Sequence, residues 1–439
     1  MAELIYPPPK KPQQVHFFEA QSGPHMMVVD GSQIYAADSS IRADIEQHAH
    51  SREKLVDLGL VEPFPKINSV ATSDIPVRAI SLAVAQTCNL GCSYCYADGG
   101  DFGGVQQQMP WQVAKQSVDE IVQESKGKAQ DIMIAFLGGE PLVNRKLIRK
   151  VAEYATTTAR LYRLGVGFSI TTNGTLIREE DLKLFSDYKF VVTVSMDGDA
   201  TDHNKVRQYK GGGDTYQKIL SNLHPVLGKN PSSFSARVSV TPDNLSLSRY
   251  VEELTSVGFA DVGFSPVVHS ANGNAELANS AIDEYLEALI TCAERCKQKT
   301  LAGEYYGFAN FHAAMAEIHK GTHRPYPCGA GAGYLGVSAD GDYYACHRFV
   351  NDEAGLLGNV ESGIDHQARD LWLGTRHVHN QGGCSSCWAR YLCGGGCHHE
   401  VMGKGRANCN MIRSWLSYCL GAYVDVLEGN PDYFANHPG

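Results

Sequence analysis

The sequence predicts an α/β protein built round a parallel sheet of six strands, flanked by a small N-terminal module and a cysteine-rich C-terminal domain. Three observations carry that expectation. Apolar, β-rich runs alternate six times with helical periodicity between Val77 and Thr300, and parallel neighbours need such crossover helices. Apolar residues make up 43% of the 439 and charged residues 20%, enough for a large core and too apolar for a disordered chain. After Leu301 the alternation gives way to irregular, glycine- and cysteine-rich sequence. The expected form is a curved, partial (β/α)6 barrel over residues 76–300, with a flat doubly wound sheet as the alternative. The module covers 1–75 and the cysteine-rich domain 301–439.

Taken in order, Val15 to Val29 and Gln33 to Ala37 read as short strands, Ser40 to Leu58 as helical, and the proline-containing stretch Glu62 to Val77 as a linker. The six core strands are expected at Ala79–Ala85, Asp131–Leu137, Val166–Thr172, Phe190–Met196, Ala236–Thr241 and Val262–Val267. Between and after them, helical periodicity marks Trp111–Glu124, Arg145–Thr158, Glu179–Ser186, Tyr216–Leu227, Leu247–Val257 and Ala281–Thr300. Near-continuous apolar content in the strands predicts burial on both faces. Leu427 to Gly439 reads as a surface tail.

Formal net charge is −10, from 38 Lys and Arg against 48 Asp and Glu, so no global basic field exists to hold nucleic acid or an anionic membrane. No apolar run approaches the ~18 residues of a membrane span, and the first residues lack the apolar stretch of a secretory signal. The expectation is a cytoplasmic protein. In a reducing compartment the thirteen cysteines point away from disulfides and towards metal or iron–sulfur ligation.

In parallel βα architectures, reactive groups collect at the carboxyl ends of the strands. The first strand is followed by Cys88-Asn-Leu-Gly-Cys92-Ser-Tyr-Cys95. Three thiolates on one loop can hold three irons of a 4Fe–4S cube and leave the fourth open. Structural zinc is the alternative, but it wants four ligands. Tyr94 is either core or a stacking partner for a base. The second strand ends in Gly138-Gly139-Glu140-Pro141, where glycines admit close approach and a carboxylate can accept from an amine. The third ends in Thr171-Thr172-Asn173-Gly174; the fourth in Ser195-Met196-Asp197-Gly198, followed by His203 and Arg207, an arginine able to clamp a carboxylate.

CNLGCSYC resembles the cluster-binding motif of radical S-adenosylmethionine (SAM) enzymes, and GGEP their second motif, over roughly Val77 to Thr300. The resemblance implies that Cys88, Cys92 and Cys95 hold a cluster whose open iron is chelated by SAM. It further implies that Gly138, Gly139 and Glu140 meet the amino group of SAM, Thr172 and Asn173 its ribose side, and Ser195 and Arg207 its carboxylate. Phe264 and Val267 are candidates for the adenine. One-electron cleavage of the sulfonium would give a 5′-deoxyadenosyl radical that abstracts a substrate hydrogen.

Cys384-x2-Cys387-x5-Cys393-x3-Cys397, with Cys346 a G-x4-C step after Gly341, resembles the SPASM extension of peptide-modifying radical SAM enzymes. The resemblance implies two auxiliary 4Fe–4S clusters, three in all: Cys328, Cys346 and Cys397 on the nearer, and Cys384, Cys387, Cys393 and Cys409 on the farther. Cys419 could complete the nearer cluster; otherwise an iron stays open to a substrate thiolate. A zinc ribbon is the alternative for the central four. Cys292 and Cys296 read as structural.

Tyr96 to Gly104 resembles thioether-forming peptide maturases, and the stretches His323 to Tyr334 and Trp388 to Glu400 look most like the maturation enzymes of quinohemoprotein amine dehydrogenase. That family joins cysteine sulfur to a methylene carbon of Asp or Glu in a small subunit. The expected partners are therefore a peptide or small protein with Cys and Asp or Glu, and an electron donor such as flavodoxin or ferredoxin. Alternatives are a ranthipeptide-type maturase, a sulfatase maturase, and a non-catalytic zinc or iron–sulfur scaffold. Sulfatase maturases typically have an aspartate where His347 follows Cys346 here. Asp197 and His347 are the candidate bases. The N-terminal module could grip a peptide by adding a strand, or serve as a scaffold.

Overall fold

Fourteen strands form among the described residues: β1 (Val15–Ala20), β2 (Gly23–Val28), β3 (Gln33–Ala36), β4 (Ala79–Gln86), β5 (Gln107–Gln108), β6 (Asp131–Gly138), β7 (Gly165–Thr172), β8 (Val191–Ser195), β9 (Phe234–Val240), β10 (Val262–Pro266), β11 (Tyr334–Val337), β12 (Asp342–Tyr344), β13 (Leu356–Asn359) and β14 (Gly363–Ile364). The computed structural model describes residues 11–67, 75–227, 234–270, 273, 275–278 and 280–436. The first ten residues, the middle of the expected linker and the last three of the expected tail lie outside the described residues. The chain divides into two compact units, one of Thr72–Ala278 with Gly329–Leu373, the other of Met1–Ala71, Asn279–Cys328 and Gly374–Gly439.

In the first of these units, eleven strands make one sheet in the order β10-β9-β8-β7-β6-β4-β11-β12-β13-β14, with β5 beside β4. The six from β4 to β10 are parallel and lie side by side in chain order. A doubly wound sheet would reverse its order at a switch point, and this one does not. Beyond β4 the sheet continues through β11, which is parallel to it and comes from residues that the sequence assigns to the cysteine-rich domain.

The strands do not bury both faces equally. Ile132, Ile134 and Phe136, Phe168 and Ile170, Val192 and Val194, and Ala236, Val238 and Val240 are buried. Phe136, Phe168 and Phe190 stack there with ring centroids 5.2–6.3 Å apart. The residues between them, such as Ala135, Ser169, Thr193, Ser195, Ser239 and Ser265, are small or polar and only partly covered. Only β4, at the middle of the sheet, is buried almost throughout. The strand runs looked continuously apolar because alanine, serine and threonine break the pattern too gently to read as alternation. Phe264 and Val267 are buried, Phe264 two residues from Val262 on the same side of β10.

In the other unit, β1, β2 and β3 form an antiparallel sheet over a core of Val15, Met26, Ala37, Ile45 and Leu55. Asp38 caps the helix Ser39–His48 by accepting from the Ser40 and Ile41 N–H groups. This sheet is tied to the cysteine-rich segment. Gln13 N–H donates to Ser386 O at 3.0 Å, Arg390 donates to Gln13 O and Gln14 Oε1 at 2.7 Å each, and the His16 ring stacks on Trp388 at 3.5 Å. The helix Cys409–Gly429 packs on β1 at Gly421, where a Cβ would stand 2.3 Å from Glu19 O. Buried Asp425 on the same helix accepts from Gln21 N–H at 2.7 Å and from Lys297 at 2.9 Å. No helix among the described residues is long and apolar enough to cross a membrane.

Alanine normally favours a helix over glycine by about 1 kcal/mol. Gly421→Ala should instead cost about 1–3 kcal/mol, because backbone must move to admit the methyl. Gly374→Ala, in the helix His366–Arg376 with open space at the same point, should be neutral or slightly stabilising. Melting temperatures of the two variants, moving in opposite directions or one alone falling, check this; equal shifts would refute it.

Candidate functional site

Cys88, Cys92 and Cys95 occupy the loop that follows β4, and backbone holds this loop on two sides. On one side, Gly91 N–H donates to Gln208 O at 2.9 Å, Lys210 N–H to Asn89 O at 3.1 Å, and Ser93 N–H to Val206 O at 3.2 Å. On the other lies the end of β6, where Gly139 N–H donates to Ala85 O and Glu140 N–H to Thr87 O, both at 2.9 Å. A Cβ on Gly138 would stand 2.3 Å from Ala85 O, one on Gly139 2.4 Å from Thr87 O, and one on Gly100 2.8 Å from Cys88 N. A side chain at any of these three positions would strike backbone, so glycine is what lets the loop and the end of β6 come this close.

Glu140 is fully buried. Its Oε1 accepts from Thr172 Oγ1 at 2.8 Å and Leu142 N–H at 3.0 Å, and its Oε2 from Asn173 N–H at 2.8 Å. Burial pushes its pKa up, against the pull of these bonds. Asn173 Nδ2 reaches Asn89 Oδ1 at 2.9 Å and Cys88 Sγ at 3.8 Å, so the ends of β6 and β7 and the thiol loop form one hydrogen-bonded unit.

A second group gathers at the end of β8. Tyr94 hydroxyl donates to Asp197 Oδ2 and accepts from Arg207 Nη1, and the Arg207–Asp197 pair stands at 3.6 Å. All three are buried. Asp197 Oδ1 accepts from Ser239 N–H at 2.8 Å, so both its oxygens are engaged. Arg207 Nε is buried without a hydrogen-bond partner among the described residues. Arg207 is bonded to Tyr94 of the thiol loop, and its charge lowers the pKa of the Cys92 thiol against the larger effect of burial, which raises it. Burial pushes the Cys88 thiol up to about 11. His203 Nδ1 accepts from Asp197 N–H at 3.1 Å, so its proton is on Nε2, facing Thr215 Oγ1 at 2.9 Å. Ser195, at the last position of β8, is paired in register with Arg237.

Cys346 and His347 follow β12, with His347 Nδ1 2.9 Å from Tyr334 hydroxyl, itself 2.7 Å from Ser81 Oγ. Tyr96, directly after Cys95, lies edge-on to His347 at 6.1 Å, with the Arg348 guanidinium 5.3 Å from its ring centroid.

The other compact unit holds Cys328, Cys397 and the group Cys384, Cys387, Cys393 and Cys409. Within that group the thiol of Cys384 feels the charges of the other three, and burial pushes it up to about 11. Arg406 donates to Cys384 Sγ at 2.9 Å, a partner that the spacing of cysteines does not reveal. Cys292, Cys296 and Cys419 are buried in helices. Cys419 lies ten residues, about 15 Å, along one helix from Cys409, and burial holds its thiol well above the usual range. Among the described residues, no group of three or more His, Cys, Asp or Glu is arranged to hold a single metal ion.

Residues 82–228 match the model of the radical SAM superfamily. The uncharacterized protein MJ0907 of Methanocaldococcus jannaschii is 29% identical over 189 residues, 43% of this chain and 62% of that protein. The cysteine-type anaerobic sulfatase-maturating enzyme of Clostridium perfringens is 25% identical, over 80% of this chain and 98% of its own. Among solved structures, hexahistidine-tagged anSMEcpe with bound AdoMet superposes with a TM-score of 0.68 at 21% identity, covering 82% of this chain and 97% of that one. Streptococcus suis SuiB bound to its precursor peptide SuiA gives 0.52 at 13%, covering 89% and 96%. The parallel α/β architecture is that of the radical SAM fold.

Burial, then the Arg207 charge, lowers the pKa of His203 to about 3, below the ~6.5 of an unfolded histidine. The unfolded chain thus binds the extra proton first, and this contribution to stability is complete above pH 6.5 and lost as pH falls towards 3. His203→Gln, which keeps an amide donor and does not titrate, should flatten the slope of unfolding free energy between pH 6 and 4 by up to about 1.4 kcal/mol per unit. Urea midpoints across that range test it, and identical slopes would rule it out.

Proposed function

We propose that this radical SAM enzyme modifies a peptide or small protein, joining the sulfur of a Cys to a methylene carbon of an Asp or Glu. The thiol loop after β4 carries the first part of the reading. Its three cysteines are the complete donor set for a cluster with one open iron. The buried Arg207, with Nε unpartnered, suits the carboxylate of SAM. When bound, cluster and SAM supply one-electron cleavage to a 5′-deoxyadenosyl radical. The chain's part is to orient and shield. Glu140, with Gly138 and Gly139, would meet the amine, Thr172 and Asn173 the ribose side, and Ser195 and Arg207 the carboxylate. Tyr94 and Asp197 position Arg207, and because both Asp197 oxygens are taken, it is a poor proton acceptor.

His347 is the better-placed base. Its Nδ1 stands 2.9 Å from the Tyr334 hydroxyl, itself 2.7 Å from Ser81 Oγ, and in the tautomer that donates from Nδ1 the basic nitrogen for a substrate thiol is Nε2. Cys384, Cys387, Cys393 and Cys409 are assigned to one auxiliary cluster. Cys328, Cys346 and Cys397 are assigned to another on spacing alone, its last position left to the substrate thiolate. Thiolate ligation would deprotonate and fix that sulfur. The quinohemoprotein amine dehydrogenase subunit is the substrate type favoured, with flavodoxin or ferredoxin as electron source. A second reading, oxidation of a Cys or Ser to formylglycine, draws support from the similarity to sulfatase-maturating enzymes.

Anaerobically reconstituted protein should hold about twelve irons per chain. With SAM, dithionite and a peptide bearing one Cys and several Asp and Glu residues, it should release 5′-deoxyadenosine. The peptide should lose two hydrogens together with its free thiol. Cys88→Ala should release no 5′-deoxyadenosine above background. A formylglycine product would favour the second reading, and silence from fully loaded wild-type protein would refute both.

A further inference from the structure

Two arginines are built into the segment that carries Cys384, Cys387, Cys393 and Cys409. Arg406 Nη1 donates to Cys384 Sγ at 2.9 Å and to Gly395 O at 3.2 Å, and its Nη2 to Gln381 Oε1 at 2.6 Å. Arg376 Nη2 donates to the same Gln381 oxygen at 3.0 Å, and its Nε to Nδ1 of buried His398 at 3.0 Å. Gln381 is buried, and its orientation is fixed because its Nε2 donates to Arg376 O. Backbone completes the frame: Cys384 N–H donates to Gln381 O at 3.1 Å, Cys387 N–H to Cys384 O at 2.9 Å, and Cys409 N–H to Arg406 O at 3.3 Å. Arg406 thus joins the turn that carries Cys384 and Cys387, the glycines after Cys393 and the start of the helix that carries Cys409.

Two guanidinium groups on one neutral oxygen repel each other. Among the described residues neither meets a carboxylate; their donors go to a carbonyl, an amide, an imidazole and one sulfur. Cations gathered in this way are costly unless an anion stands beside them, and four thiolates round iron would supply it. The four sulfurs are the full ligand count of a 4Fe–4S cube. A fixed cation, and an N–H aimed at a ligand sulfur, both favour the reduced form of such a cluster, which carries one more negative charge.

The peptide-modifying reading gives that charge a source. Hydrogen abstraction leaves a carbon radical on the substrate. When the radical joins a thiolate sulfur, whose proton has gone to the base, one carbon–sulfur bond forms and one electron is left over. An oxidised cluster must take it.

We propose that Arg406, assisted by Arg376 through Gln381, raises the reduction potential of the cluster assigned to Cys384, Cys387, Cys393 and Cys409, so that it receives the electron released by bond formation. The inference rests on the reading above and deepens it. Both arginines are positioning residues: they act on the cluster and touch no substrate.

The test is a redox titration of the reconstituted full chain, followed by electron paramagnetic resonance, in which the SAM-binding cluster is recognised by the change in its signal on adding SAM. In Arg406→Gln the reduced-to-oxidised ratio of one of the other two clusters, read at a fixed potential, should fall about tenfold, which is about 59 mV for one electron. Arg376→Gln should lower the same midpoint, and Arg406→Lys, which keeps the charge but not the fork, should recover part of the loss. Iron content and the midpoint of the SAM-binding cluster should not move. Unmoved or raised auxiliary midpoints in fully loaded Arg406→Gln overturn the proposal, as does an equal shift in the SAM-binding cluster. Should Arg406→Gln lose iron, Arg376→Gln and Arg406→Lys carry the same comparison; loss of iron from all three makes the arginines structural only and also overturns it. Wild type lacking the iron for two further clusters would refute the cluster reading itself, whereas full iron with unmoved midpoints refutes this inference alone.

Discussion

Everything at the strand ends depends on a contact too close for side chains. The end of β6 meets the thiol loop through Gly138 and Gly139, and Gly100 closes in on Cys88, all at distances where a Cβ would collide with backbone. Because the contact is made by peptide groups, the loop is indexed to the sheet by hydrogen bonds of fixed length and direction. Glu140 carries the alignment on to Thr172 and Asn173, and Asn173 returns it to Cys88. A thiol loop pinned in this way is ordered by the protein before any metal arrives, so less ordering remains to offset the gain from ligation.

The ionic group of Tyr94, Asp197 and Arg207 answers a different problem. A buried charge is tolerated only with its partners in place, and here the carboxylate is satisfied by a phenol, a backbone N–H and a guanidinium. His203 extends the arrangement by fixing the backbone of Asp197 and, through Thr215, the carbonyl of Arg207. Removing any one member strands another in a low-dielectric setting, which makes the group rigid and the orientation of Arg207 precise enough to matter for a ligand.

Much of this was legible in the residues. Repeated βα alternation marked six parallel strands but left their order open between a partial barrel and a doubly wound sheet, and the cysteine spacings marked the thiol loop because they are local in the sequence. Arg207 and Asp197 were visible as candidates; that Asp197 is consumed in holding Arg207 was not, since its partners Tyr94 and Ser239 come from the thiol loop and from β9, far apart in the sequence. Strand facing was misread because alanine and serine hide a period of two. Nor could spacing show that β1 is tied to the cysteine-rich segment through Trp388 and Arg390, a union made by tertiary contacts some 370 residues apart along the chain.

That union has a bearing on biogenesis. Strand β1 seats against the helix Cys409–Gly429, so this strand is made long before the segment that supports it. Contacts of such long sequence separation close late and slowly, whereas the parallel strands can pair with neighbours as they are synthesised. Until then β1 and the segment that carries Trp388 and Arg390 lack the contacts that hold them together.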